Sequence, residues 1–197
     1  PADGTLDLAL IDGRRAHAHV RLLRGARELW AEDGEVLFRP WGLSGICVFD
    51  LSRRAKEGDV VALDLTCGIS DEEVSALAAA GCAEGMLDPQ VVAALAAGSA
   101  AAKLKHARDL RFEVTGLAEA ERAQVTRGGL DVTGFSPATL GAEGASGLFA
   151  AGEALDVDAD CGGFNLAWAW RSGQVAGAAA ADHALGRTRA NGSENKE

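Results

Sequence analysis

Residues Gly147 to Gly177 read GLFAAGEALDVDADCGGFNLAWAWRSGQVAG, and this stretch decides the fold. Leu148-Phe149-Ala150-Ala151 is an apolar run too short for a helix and bounded by Gly147 and Gly152, the pattern of a buried parallel strand. An acidic connection follows, with Asp156, Asp158 and Asp160 at alternate positions. Gly162-Gly163 then leads into a run from Phe164 to about Ala181 with much alanine and no proline, which predicts a helix. Strand, glycine turn and helix in that order make half of a nucleotide-binding unit. The free N–H groups of the helix and its positive dipole end face whatever lies beyond the C-terminal edge of the strand. Gly162 and Gly163 carry no side chains, so a ligand can approach the backbone there.

Two further stretches, GEVLFRPWGLSG (Gly34 to Gly45) and AQVTRGGLDV (Ala123 to Val132), complete an ordered set of three motifs. The set resembles a family of bacterial FAD-dependent oxidoreductases, the aminoacetone-oxidase-like or bile-acid-inducible-type flavoproteins. The resemblance implies an FAD domain interrupted by an inserted, substrate-side domain, with the chain returning to the FAD domain near its end. It implies FAD as the cofactor of the intact protein, NAD(P)H as a candidate reductant and a small molecule as substrate. It also implies flavin contacts at Thr126, Gly128 and Gly129, at Gly152 and Glu153, and at Gly162, Gly163, Phe164, Asn165 and Leu166. In that reading Glu153 accepts hydrogen bonds from ribityl hydroxyls. The amides of Gly163 to Leu166 face the flavin edge that gains negative charge on reduction. Phe164 stands where the family more often has tyrosine, Arg39-Pro40 where Thr-His is common, and Ile46 where a proline usually follows GLSG.

The family's FAD domain begins with G-x-G-x-x-G, which seats the pyrophosphate on a helix N-terminus. No such motif occurs, since Gly141, Gly144 and Gly147 have the wrong spacing, and the chain begins at Pro1. The expectation is therefore the C-terminal portion of a larger flavoenzyme, inactive alone, with the N-terminal FAD-binding half as its missing partner. The alternative is a non-enzymatic binding or assembly module derived from such a flavoprotein.

Composition narrows the classes further. With 19 basic and 29 acidic residues the formal charge is −10, which argues against nucleic acid and an anionic membrane surface as partners. The apolar runs are broken by glycine or charge, so no transmembrane helix is predicted. Four cysteines without C-x-x-C spacing read as reduced, mostly buried thiols of a cytoplasmic protein. The acidic run from Asp156 resembles an EF-hand start, but Cys161 and Ala167 occupy its glycine and glutamate positions, so no metal is expected.

Upstream, Pro1 to Gly13 has little pattern and reads as a frayed linker. From Arg14 the chain alternates Ala16, Ala18, Val20 and Leu22 with Arg15, His17, His19 and Arg21, a half-buried strand with both histidines on its polar face. Arg27 to Ala31 predicts a second strand, and Asp33-Gly34 a hairpin into Glu35 to Phe38. Ile46 to Leu51 predicts a short helix, Asp59 to Leu65 a strand, and Ser70 with Glu73 a capping box opening a helix. Asp88-Pro89 opens another helix expected to run through Ala96, bend near Gly98 and resume to His106. Leu110 to Val114 predicts the last strand of this part, and Ala123 to Thr126 a strand ending in a glycine pair.

The fold class expected is thus α+β: an antiparallel, barrel-like inserted domain with capping helices over residues 1–117, then the closing strand and helix of a Rossmann-like FAD-binding domain over 118–185. Residues 186–197 are expected to be a disordered tail. The small row Ala169, Gly173, Gly177 and Ala181 is expected to let the last helix approach the sheet. A strand edge left without its neighbour invites pairing with a second copy, so a homodimer is expected as well.

Overall fold

The computed structural model describes residues 6–82, 86–95, 98–118, 123 and 125–186. They fall into two compact units, residues 1–119 and 120–197. The expected tail from residue 187 onward lies outside the described residues.

The first unit is built on alternation. In β1 (Arg15–Arg24) Ala18, Val20 and Leu22 are buried while Arg15 and His17 are exposed, as period two demands of a sheet with one wet face. β2 (Arg27–Arg39) pairs antiparallel with all of β1, with a bulge at Leu22/Leu23. The reversal sits at Gly25, whose φ of +59° suits glycine. The hairpin expected at Asp33-Gly34 is therefore absent: β2 runs straight through, with His19 opposite Asp33 and Ala18 opposite Gly34. Packing explains why glycine is there all the same. A Cβ on Gly34 would lie 2.9 Å from the Cβ of Cys47, so the position admits the helix above rather than a turn.

β3 (Gly42–Ser44) pairs with β2, β4 (Val60–Asp64) with the other side of β1, and β5 (Leu110–Glu113) with β4. The order β3-β2-β1-β4-β5 is antiparallel throughout and curls as a half-barrel. Among the described residues, five helices or helical turns belong to this unit. They are a 3-10 turn at Leu8–Ile11, α1 (Ile46–Ser52), α2 (Asp71–Ala79), α3 (Pro89–Ala94) and α4 (Ala100–Ala107). The helix expected to run from Pro89 through Ala96 stops earlier. Leu95 turns extended to bridge Leu6, and α4 starts afresh from its own cap, with the Ser99 side chain accepting from the Ala102 N–H. The same bridge corrects the frayed linker. Leu6 and Ile11 are buried in the core with Val20, Phe38, Leu63, Val91 and Leu104, while residues 1–5 lie outside the described set.

The polar face of β1 is also more ordered than exposure alone requires. His19 pairs with Asp33 across the ladder, and His17 Nδ1 lies 3.3 Å from Cys67 Sγ. The mostly buried thiols expected are corrected in part. All four cysteines are free, but only Cys47 is buried, Cys67 and Cys161 are half-buried, and Cys82 is exposed. Among the described residues no helix is long and apolar enough to cross a membrane.

The second unit has one long element, α5 (Phe164–Ala184). The predicted strand at Leu148–Ala151 is not formed, and none runs over Ala123, Val125 and Thr126, with Gln124 outside the described residues. In their place are single bridges: Phe149 to Gly141, Phe135 to Ala142, and a parallel one between Leu130 and Leu155. A strand exists only through its neighbours, and no neighbouring ladder is present among the described residues. A small core of Leu140, Leu155 and Ala176, flanked by Phe135, Phe149, Trp168 and Val175, holds the unit together. The small row on α5 is corrected too. Gly173 and Gly177 are exposed with nothing near their absent Cβ atoms, and the buried stripe is Ser172, Ala176 and Ala179.

Two local interactions fix the first unit's connections. Arg24 grips Asp59 with Nε and Nη2, each at 2.8 Å, and Asp59 also accepts the Lys56 N–H at 2.8 Å, tying the approach to β4 to the end of β1. These hydrogen bonds, Arg24 first, hold the Asp59 carboxyl at about 2. The capping box at α2 is complete: Ser70 Oγ accepts the Glu73 N–H while Glu73 accepts the Ser70 N–H.

Asp59→Asn is expected to lower the urea midpoint at neutral pH. A depressed folded-state value means the carboxylate's contribution is complete above its ordinary value of ~3.9 and lost as pH falls through about 2. Melts followed by circular dichroism should show the gap between wild type and Asp59→Asn narrowing over that window; a gap that widens on acidification contradicts the assignment. Ser70→Ala is expected to cost about 1 kcal/mol in chemical denaturation, with Ser70→Thr recovering most of it.

Candidate functional site

All ten sequence-predicted contact residues lie in the second unit, on three segments that converge on the loop 154–160. The first segment carries Thr126, Gly128 and Gly129. Gly129 passes so close to this loop that a Cβ would lie 2.8 Å from the Leu155 carbonyl carbon and 2.9 Å from the Ala154 oxygen, at a φ of +155°. Only glycine fits there. Leu130 next to it exchanges backbone bonds with the loop, donating to Ala154 O at 2.8 Å and accepting from Asp156 N at 2.9 Å. Arg127 reaches Asp158 at 3.8 Å. Thr126 and Gly128 are exposed, with open space around Gly128.

The second segment is the 3-10 turn Gly152–Ala154, with Glu153 exposed on it. Gly152 is buried at a φ of +62°, and both of its polar backbone groups are held by α5 side chains. Its N–H donates to Ser172 Oγ at 2.9 Å, and its carbonyl accepts from Trp168 Nε1 at 3.1 Å.

The third segment is the entry to α5. Gly162 and Gly163, at φ of +130° and +90°, swing the chain into the helix, and no side chain caps it. The first bond inside is Ala167 N to Gly163 O at 2.9 Å. Phe164, Asn165 and Leu166 form the opening turn, Phe164 and Leu166 each 61% exposed. Asn165 does something the motif did not reveal. Its side chain accepts from the Ala159 N–H at 2.9 Å and donates to the Ala159 carbonyl at 3.1 Å, clipping the acidic loop to the helix.

The result is a helix entered through two glycines, an exposed carboxylate on a turn that α5 side chains hold, and a glycine segment packed on the loop that joins them. That set can hold an anionic or electron-rich group by backbone donors and a hydroxylated chain by Glu153. Among the described residues no cluster of three His, Cys, Asp or Glu side chains is arranged for a metal. Sequence reasoning passed over Ser172, Trp168 Nε1 and Arg127. The signal for the first two was their spacing of four on the inward face of a helix that also buries Ala176 and Ala179.

Comparison with known proteins places the chain. Residues 66–179 match the family described as HI0933-like protein Rossmann domain, a stretch that runs across both units. The chain is 30% identical over 202 aligned residues to the 3-dehydro-bile acid delta(4,6)-reductase of Clostridium scindens, covering 86% of this chain and 49% of that protein. A shorter match links it to the ribosomal RNA dihydrouridine synthase of Escherichia coli, 39% identical over 64 residues, 32% of this chain and 16% of the relative. The enzyme of the same name from Haemophilus influenzae is 46% identical over 50 residues, 25% of this chain and 12% of the relative. The chain thus spans at most about half the length of these relatives. On the match to more than half its residues, this chain belongs to the HI0933-like family.

Proposed function

We propose that this chain supplies the substrate-side domain and part of the flavin site of an FAD-dependent oxidoreductase. The observation that carries the reading is the entry of α5 through two left-handed glycines, with a side-chain-free residue at its N-cap, joined by the loop 154–160 to the turn that carries Glu153 and to the segment of Gly129. Anionic cofactor edges are bound by the amides of such a helix entry because the helix dipole and the orphan N–H groups act together. Membership of a Rossmann-domain family and likeness to a protein named as a reductase support the same chemistry. FAD performs the electron or hydride transfer when bound, with NAD(P)H as the reductant.

The chain's own residues hold and tune it. Glu153 accepts from ribityl hydroxyls. The amides of Gly163 to Leu166 face the flavin edge that becomes negative on reduction. Thr126 and Gly128, both exposed, and Gly129, which packs this segment onto the loop 154–156, would hold the flavin along that segment.

This chain covers 49% of the reductase relative, and in this reading the rest of such a protein would carry a G-x-G-x-x-G half. Its binding surface is the outward face of α5, where Leu166 and Trp170 are 61% and 70% exposed. Residues 1–117 then form the inserted domain, and the closing run Leu148–Ala151, held among the described residues by one bridge, is where a second copy pairs. A net charge of −10 favours a small-molecule substrate; the RNA in the names of two relatives belongs to those proteins.

A version extended by the part of the reductase relative that this chain does not cover is expected to purify yellow or to take up FAD stoichiometrically, with NADH or NADPH bleaching its flavin bands. Glu153→Gln in that protein should weaken FAD binding about tenfold, the worth of one hydrogen bond to a charged acceptor. An extended protein that stays colourless and binds no FAD in a titration removes the reading and leaves a non-enzymatic module.

A further inference from the structure

The structure assigns Ser172 and Trp168 as positioning residues that fix the two peptides on either side of Gly152, and through the second of them the approach of Glu153 to the flavin's ribityl chain. This rests on the flavin reading above. Ser172 is 1% exposed, yet it is a polar side chain on a helix face otherwise given to alanine and valine. Its hydroxyl has one proton, and that proton is committed: Ser172 Oγ donates to Trp168 O at 2.6 Å, with Ala169 O at 3.3 Å as a second acceptor. Its lone pair therefore faces the Gly152 N–H, which donates at 2.9 Å. Trp168, one turn earlier, sends its Nε1–H to the Gly152 carbonyl at 3.1 Å. Both ends of one residue are thus held by side chains four apart on α5.

Planarity carries the effect one residue further. In a trans peptide the N–H of Glu153 points opposite the carbonyl of Gly152. With that carbonyl shared between Trp168 Nε1 and the Leu155 N–H at 3.2 Å, the Glu153 amide is turned away from the indole, and Glu153 is exposed. Glycine is needed at 152 for a φ of +62°, but a glycine is also the residue least able to hold one conformation unaided. The brace supplies from α5 what Gly152 lacks. The buried Ser172 hydroxyl is satisfied by its own helix's carbonyls and by the Gly152 amide, and only the last of these bonds leaves the helix to reach the turn.

Ser172→Ala, Ser172→Thr and Trp168→Phe separate positioning from bulk stability, each made in the extended protein and in this chain. In this chain, amide exchange at Gly152 should speed up at least about tenfold in Ser172→Ala and be restored in Ser172→Thr, because the loss is of one hydrogen bond. Trp168→Phe should shift the Glu153 amide resonance while α5 remains helical. In the extended protein, Ser172→Ala should raise the FAD dissociation constant about tenfold and alter the flavin absorption envelope, with Ser172→Thr near wild type.

Unchanged Gly152 exchange in Ser172→Ala overturns the brace. Faster exchange with wild-type FAD affinity and spectrum overturns its positioning role, as does a lower melting temperature with no change at the flavin. If the wild-type extended protein takes up no FAD, the flavin reading fails, the ribityl role falls with it, and Gly152 exchange still decides whether the brace sets the turn.

Discussion

The second unit depends on one buried stripe of α5, in which Trp168, Ser172, Val175, Ala176 and Ala179 face inward. Apolar burial is modest, since three of these are small, so direction comes from the hydrogen bonds rather than from area. Trp168 does both jobs. Its ring packs against the small core and its N–H fixes a carbonyl in the turn that carries Glu153. Asn165 repeats the device at the helix entry by clipping Ala159 in both directions. The irregular loops around α5 are therefore placed by side chains of a regular element, the arrangement that gives a binding site precision while leaving its surface free for a ligand.

The first unit solves a different problem. Its sheet has nine inward positions on β1, β2, β4 and β5 filled by Ala, Val, Leu and Phe, and one continuous core with helices on it. Charges on the outer face pair across the ladder, as Arg15 with Glu35 and His19 with Asp33 do, so the wet face is ordered without being buried. Arg24 and Asp59 differ from these in that the carboxylate side chain is only 3% exposed. A buried carboxylate with three donors is satisfied; one with two is a liability, which is why this pair fixes the connection where exposed pairs merely decorate it.

Local chemistry made much of this legible in the sequence. The capping box at Ser70 and Glu73, the Asp88-Pro89 start of α3, the alternation of β1 and the reach of α5 all depend on residues a few positions apart, and the structure has each of them. What failed depended on partners distant in sequence. Asp33-Gly34 looks like a turn until Cys47 is placed over Gly34. Pro1 to Gly13 looks frayed until Leu6 finds Leu95. The run to Ala96 looks like one helix until that same bridge straightens Leu95. In the candidate site, the glycines were readable because their spacing is local, whereas the bonds of Ser172, twenty residues from Gly152, were not.

The missing strand at Leu148–Ala151 follows from the same distinction. Its four residues have the composition of a buried strand, but composition sets only the desire to be covered; pairing needs a second backbone alongside. Among the described residues Phe149 meets Gly141 in one bridge, and Leu148 is left 53% exposed. On α5 the uncovered side carries Leu166 and Trp170 at 61% and 70% exposure, together with Gly173 and Gly177. An isolated exposed leucine means nothing, but an apolar run and a helix face with large and small residues interspersed are both shaped for close approach by another layer. A Rossmann domain is such a layered structure, with helices against a parallel sheet. The chain belongs to a family with that domain and spans about half of its reductase relative. Under the function proposed above, the run held by one bridge and the exposed helix face would both be covered by a companion sheet.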